Sequence, residues 1–146
     1  MQEDSQTILG CIEQIAFPEL GIDTVYAKID TGAYSGALHC YDLKVMRRKS
    51  GKVLRFRPVN KTAPLIETAD FRKTFVRSAS GHQMKRYIID TDVLIQGKEY
   101  KMSIGLADRV DMRMDVLIGR RFLRKYDMLV DVRRNAELDV DGGGKD

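Results

Sequence analysis

Hydrophobic and polar positions alternate with a period of two along most of this chain, the spacing of strands that bury one face. The run 7–17, TILGCIEQIAF, predicts a first strand, closed by the turn Pro18-Glu19-Leu20-Gly21. In 24–30, TVYAKID, Val25, Ala27 and Ile29 alternate with Tyr26 and Lys28, and the strand ends on Asp30. Strands over 37–48 and 53–59 flank Lys49-Ser50-Gly51-Lys52, a hairpin signal. Residues 60–72 show no period and are expected to form a loop. A second hairpin joins 73–78 to 84–95 through Ala79-Ser80-Gly81, and Gln96-Gly97-Lys98 turns the chain into a strand over 99–107. Beyond the loop 108–113 lies a short apolar strand, 114–119. Helical spacing is confined to 120–127, RRFLRKYD, where Phe122, Leu123 and Tyr126 share one side; 128–132 is a closing strand. Short strands separated by frequent turns predict a mainly β fold, a closed or sandwiched barrel, with one short C-terminal helix.

Composition narrows the setting. No apolar run approaches the ~18 residues of a membrane-spanning helix. The opening MQEDSQTILG lacks the basic and then apolar pattern of a secretory leader, so a cytoplasmic location and no membrane partner are expected. With 146 residues, 43% apolar and 32% charged, the chain suits one domain, placed at 1–132, followed by a flexible acidic, glycine-rich tail at 133–146. Cys11 and Cys40 have neither redox nor zinc spacing and are expected as reduced thiols. The net charge of +4 is local: Arg47, Arg48, Lys49, Lys52, Arg55 and Arg57 cluster, as do Arg72, Lys73 and Arg77, and then Arg120, Arg121, Arg124 and Lys125. Such a surface favours anionic partners (nucleic acid, acidic lipid or acidic polypeptide), although a merely solvated face has the same composition.

Asp30 is the residue with chemistry to offer. It leaves the end of an apolar strand, where a rigid element can hold a carboxylate. Thr31 brings a hydroxyl that can bond nearby backbone, and Gly32 admits close backbone approach. About 90 positions later, VLIGRRFL carries an apolar strand into a glycine at a helix start. Together, Asp30-Thr31-Gly32-Ala33 and Leu117-Ile118-Gly119-Arg120 resemble the retropepsin-like aspartic proteases. The segments AKIDTGAYSGALHC, VRSASGHQMKRYII and DVLIGRRFL are more narrowly similar to a bacterial family labelled "ATP-dependent zinc protease", over roughly residues 8–132. Several members of that family are linked to ATP-grasp ligases that add glutamates to a ribosomal protein.

The resemblance implies a retropepsin-like closed β-barrel, Asp30 as the catalytic carboxylate, Thr31, Gly32 and Ala33 as its loop, and Leu117, Ile118, Gly119 and Arg120 as the element packed behind that loop. It implies an acidic or glutamate-tailed protein substrate. The family's label finds no support in these residues. There is no His-Glu-x-x-His and no Cys-x-x-Cys; His39, His82, Cys11 and Cys40 are scattered, and GGGKD lacks the setting of a phosphate loop. Neither metal nor other cofactor is expected.

Acid protease chemistry uses two carboxylates that share one proton, and Asp-Thr-Gly occurs once. Ile89-Asp90-Thr91-Asp92 has aspartate where the second glycine is needed. The economical solution is a symmetric homodimer with one Asp30 from each subunit at the two-fold axis. Residues 45–59 occupy the place of a retropepsin flap but are basic rather than glycine-rich. Arg55 and Arg57 project from one strand face and can grip carboxylates, or can simply face solvent. Tyr34 stands where many retropepsins carry an acid, which leaves the partner of Arg120 open, and His82 is a substrate contact or a turn residue. The rivals are an idle binding module of the same fold, a basic barrel that stacks RNA on Phe56, Tyr87 and Tyr100, and a cysteine peptidase using Cys40 and His82. Core packing accounts for the aromatics better than RNA stacking does.

Overall fold

The computed structural model describes residues 6–77, 80–108 and 114–139. Its strands are β1 (Ile8–Leu9), β2 (Ile12–Phe17), β3 (Ile22–Ile29), β4 (Ala37–Arg48), β5 (Gly51–Pro58), β6 (Ile66–Thr68), β7 (Arg72–Arg77), β8 (Gln83–Ile95), β9 (Lys98–Ala107), β10 (Val116–Ile118) and β11 (Leu129–Val130). One α-helix, α1 (Arg120–Lys125), follows β10. The mainly β expectation holds, with two local differences. The segment 60–72 contains β6, three residues that pair with β5 through Phe56 and Ile66. The first predicted strand is broken between β1 and β2, because β1 pairs with β11 in a separate two-stranded sheet.

The large sheet runs β10-β3-β2-β8-β9-β4-β5-β6, with β7 alongside β8. Since β10 also pairs with β4, six strands from β10 round to β4 form a ring of hydrogen-bonded neighbours. The ring mixes orientations: β10 is parallel to β3 and β4 is parallel to β9, while the other neighbours are antiparallel. The strands of this ring, together with β5 and α1, contribute to one apolar core among the described residues. Phe17, Leu38, Phe56, Ile95, Ile104, Leu106, Val116 and Ile118 are fully buried.

The period-two pattern explains which residues face inward. In β8, Ile89, Thr91, Val93 and Ile95 are buried and alternate with more exposed neighbours. Thr91 donates from its hydroxyl to Glu19 Oε1 at 3.3 Å. The Ile89-Asp90-Thr91-Asp92 segment is therefore mid-strand, not a second loop of the Asp30 kind. Residues 133–139, which the sequence assigns to a tail, bond back to Cys11 and to the start of β2. Arg134 O accepts from Cys11 N at 3.1 Å, and Asn135 Nδ2 donates to Ile12 O at 2.7 Å. The rest of that expected tail lies outside the described residues. No helix among the described residues is long and apolar enough to cross a membrane.

Phe56 is wholly enclosed in the apolar core, so its removal leaves a cavity there. Phe56→Ala is expected to lower the unfolding free energy by about 3–5 kcal/mol, measured by urea denaturation.

Candidate active site

The position of Asp30 follows from a strand pairing. β10 runs parallel to β3 with Ile118 opposite Ile29, and on its other side antiparallel to β4 with Leu117 opposite Ala37. Three apolar residues thus suffice for β10, which is held on both edges. Asp30 leaves β3 with its N–H donating to Ile118 O at 2.9 Å. The chain then turns, Ala33 N donating to Asp30 O at 3.2 Å, and Gly32 N donates to Asp30 Oδ1 at 2.8 Å. One carboxylate oxygen is fixed by this backbone donor. Among the described residues the other, Oδ2, has no hydrogen-bond partner.

The second motif holds the loop from behind. A Cβ at Gly119 would lie 2.7 Å from Tyr34 O and 2.8 Å from Ala33 O and Ser35 O. The backbone dihedrals of Gly119, φ −94° and ψ 178°, suit any residue, so glycine is required by space alone. The first N–H groups of a helix have no partner within it. Here Arg120 N donates to Ala33 O at 2.8 Å and Arg121 N to Tyr34 O at 2.9 Å, so the Asp30 loop caps α1. The Arg120 guanidinium reaches back to Gly32 O at 3.1 Å and lies 5.5 Å from the centre of the Tyr34 ring. This answers the question of its partner: a cation–π contact and loop carbonyls take the place of an acid. Thr31 is exposed.

The other sequence-predicted residues fare differently. Arg57 is committed to the fold, its Nε donating to Asp42 Oδ2 at 2.8 Å and its Nη1 to Ala63 O at 2.6 Å. Arg55 shares that strand face and pairs across the sheet with Lys44 and Glu67; it is half-buried, and its Nε is a buried atom without a hydrogen-bond partner. Neither arginine bonds to the Asp30 loop among the described residues. His82 is exposed in the turn between β7 and β8; Ser78 and Ala79 lie outside the described residues.

Cys40 is completely buried. Burial first, and the charge of Asp108 second, push its thiol up to about 12, so it holds its proton at neutral pH and is no nucleophile. Phe56 belongs to the core, Tyr87 packs edge-on against Phe71, and Tyr100 packs against Phe122 and Tyr126, which removes the proposed RNA-stacking platform. Zinc does not fit the available donors. His39 and Cys40 are consecutive on one strand, Cys11 Sγ faces Arg134 O at 3.4 Å, and no described group of three or more His, Cys, Asp or Glu converges.

The ring of strands and the braced Asp-Thr-Gly loop place the chain in the retropepsin-like class. A model of the RimB-like family, described as retropepsin-like aspartic endopeptidase RimB, matches residues 8–138, and the chain belongs to this family. A protein of Shewanella pealeana named "Probable alpha-L-glutamate ligase" is 26% identical over 122 residues, covering 80% of this chain and 27% of that protein. A protein of the same name from Desulfotalea psychrophila is 26% identical over 124 residues, covering 82% and 27%. The chain therefore spans about a quarter of the length of these curated relatives. A crystal structure of a Legionella pneumophila protein of unknown function superposes with a TM-score of 0.70 at 25% identity, over 88% of this chain and 95% of that one.

Two outcomes are expected. Gly119→Ala forces the loop carbonyls away and destabilises the chain by about 1–3 kcal/mol in chemical denaturation, with altered backbone resonances at residues 30–35. Native protein treated with iodoacetamide at pH 8 is left unmodified at Cys40, while urea-unfolded protein is alkylated there, as read by peptide mass spectrometry.

Proposed function

We propose that the chain is an aspartic peptidase that works as a homodimer, hydrolysing peptide bonds in acidic, glutamate-tailed protein substrates. The observation that carries this reading is the Asp30 carboxylate, pinned through Oδ1 by Gly32 N–H on a loop that Gly119 and Arg120 brace. Rigid placement of a carboxylate is what general base catalysis on water needs.

In the proposed dyad, one Asp30 takes a proton from the attacking water while its counterpart, protonated, donates to the scissile carbonyl oxygen. The tetrahedral intermediate then collapses, the C–N bond breaks, and the leaving amine receives a proton from the dyad. Two adjacent carboxylates cannot both ionise, so one proton is shared; aspartic proteases are the usual illustration of this effect.

Several features agree with a two-fold dimer. Thr31 is exposed beside Asp30 and lines a shallow cavity with Arg120, Leu123, Met128, Leu129 and Val130. Leu129 is 53% exposed and Val132 69%, apolar surface of the kind that self-association covers. The ring of strands would close as a barrel that carries the Asp30 loop at the end of β3. The relatives named as glutamate ligases and the net charge of +4 both suit a glutamate-rich substrate.

The test is mass spectrometry of a glutamate-tailed acceptor protein incubated with chelator and without ATP. Intact chain is expected to remove the glutamates, and Asp30→Asn to reduce the rate at least about a thousandfold, as loss of a directly reacting group does. Equal cleavage by both proteins, or by neither, contradicts the proposal.

A further inference from the structure

The hairpin β7–β8 has two faces, and its inner face encloses a cavity beside the Asp30 loop. Thr74 and Val76 of β7 and Arg86 and Ile88 of β8 line it, as alternation requires. Its volume is about 100 Å³, several times the ~10–15 Å³ that holds one water on the same measure. Ser35 and Gly36, the continuation of the Asp30 loop, form part of the wall. Four cations contribute: Arg86, Lys101, Arg121 and Lys125. No aspartate or glutamate is among the described lining residues.

The nearby acids already have partners. Asp90 accepts from Arg72 and Ser103, which hold its carboxyl below the usual range, and Asp92 pairs with Lys101 at 3.2 Å. Arg121 has no ion pair among the described residues, and Lys125 lies 5.3 Å from the Tyr126 ring. The lack of a side chain at Gly105 makes room for the Arg86 stem. A Cβ at Gly105 would fall 2.9 Å from Arg86 Cδ and 3.0 Å from Cγ, so the stem of Arg86 crosses bare backbone. Gly105 N in turn donates to Gly36 O at 3.2 Å, which ties this crossing to the loop.

We propose that this cavity is an anion subsite for the side-chain carboxylate of an acidic substrate residue near the scissile bond; the inference rests on the peptidase reading above. Clustered guanidinium and ammonium groups supply the charge-assisted donors a carboxylate requires. Val76, Ile88 and Met102 supply an apolar wall that suits the methylenes of glutamate and gives nothing to a bare phosphate. The same two segments set both parts of the site. Arg120 braces the loop that carries Asp30, while the next residue, Arg121, presents its charge to the cavity.

The test uses nitrogen-15-labelled Asp30→Asn chain titrated with pentaglutamate, read at the backbone amides of Ser103, Gly105 and Arg121. Pentaglutamine and inorganic phosphate are the comparison ligands. Pentaglutamate is expected to shift these amides, and the double variant Arg121→Gln, Lys125→Gln to weaken its binding at least about tenfold, the loss of at least one of two charge-assisted contacts. Lys98→Gln, a charge change at the start of β9 on a residue that does not line the cavity, is expected to leave binding unchanged. Equal affinity of the double variant and Lys98→Gln, or tighter binding of phosphate than of pentaglutamate at these amides, overturns the subsite. Cleavage of the glutamate-tailed acceptor is measured separately on intact chain. If cleavage is absent while pentaglutamate still occupies these amides, the peptidase reading falls and the subsite stands.

Discussion

The close approach of two backbones at Gly119 governs this structure. Three carbonyls, from Ala33, Tyr34 and Ser35, lie within 2.8 Å of where a β-carbon would be. Only because that space is empty do the first N–H groups of α1 reach the Ala33 and Tyr34 carbonyls. Those bonds satisfy a helix end that has no side-chain cap, and they fix a loop that has no regular structure of its own. Arg120 completes the brace from the side-chain direction. Asp30 therefore inherits the rigidity of a sheet strand, a helix start and a cation, although it lies in a turn.

The same economy appears in the use of charge. The sequence carries 25 Lys and Arg, and the fold divides them into distinct roles. Arg57 and Arg120 serve the architecture, bonding main-chain carbonyls of the loops beside them. Arg72 and Lys101 neutralise acids on neighbouring strands. Arg121 and Lys125, both exposed, border a cavity with an apolar wall. A count of basic residues cannot separate these roles; hydrogen-bond partners can.

Much of the fold was legible in the sequence because it rests on local alternation. The period-two pattern marks β3 and the long β8–β9 hairpin within a residue or two, and the Leu117-Ile118-Gly119-Arg120 element stood out by apolar content and its glycine. What escaped depends on partners distant in the chain. β6 has three residues and exists because β5 offers an edge. Residues 133–139 are polar, with no period, and are held by Asn135 and Arg134 against Cys11 and the start of β2. Arg55 and Arg57 do share a face as alternation requires, but alternation does not reveal that Asp42 and Ala63 engage Arg57. Of the cavity cations, Arg121 and Lys125 were seen as charge and not as a site, and Arg86 and Lys101 were not singled out, because three separate elements, β8, β9 and α1, bring the four together.

The central claim is that catalysis needs an Asp30 from each of two chains. The most direct measurement mixes intact chain with Asp30→Asn chain at fixed total concentration, lets subunits exchange, and follows cleavage of a glutamate-tailed acceptor. If the dyad spans the two-fold axis, the rate falls as the square of the intact fraction, since mixed dimers are inactive. A rate that falls in simple proportion to that fraction would mean that each chain works alone, and would contradict the account.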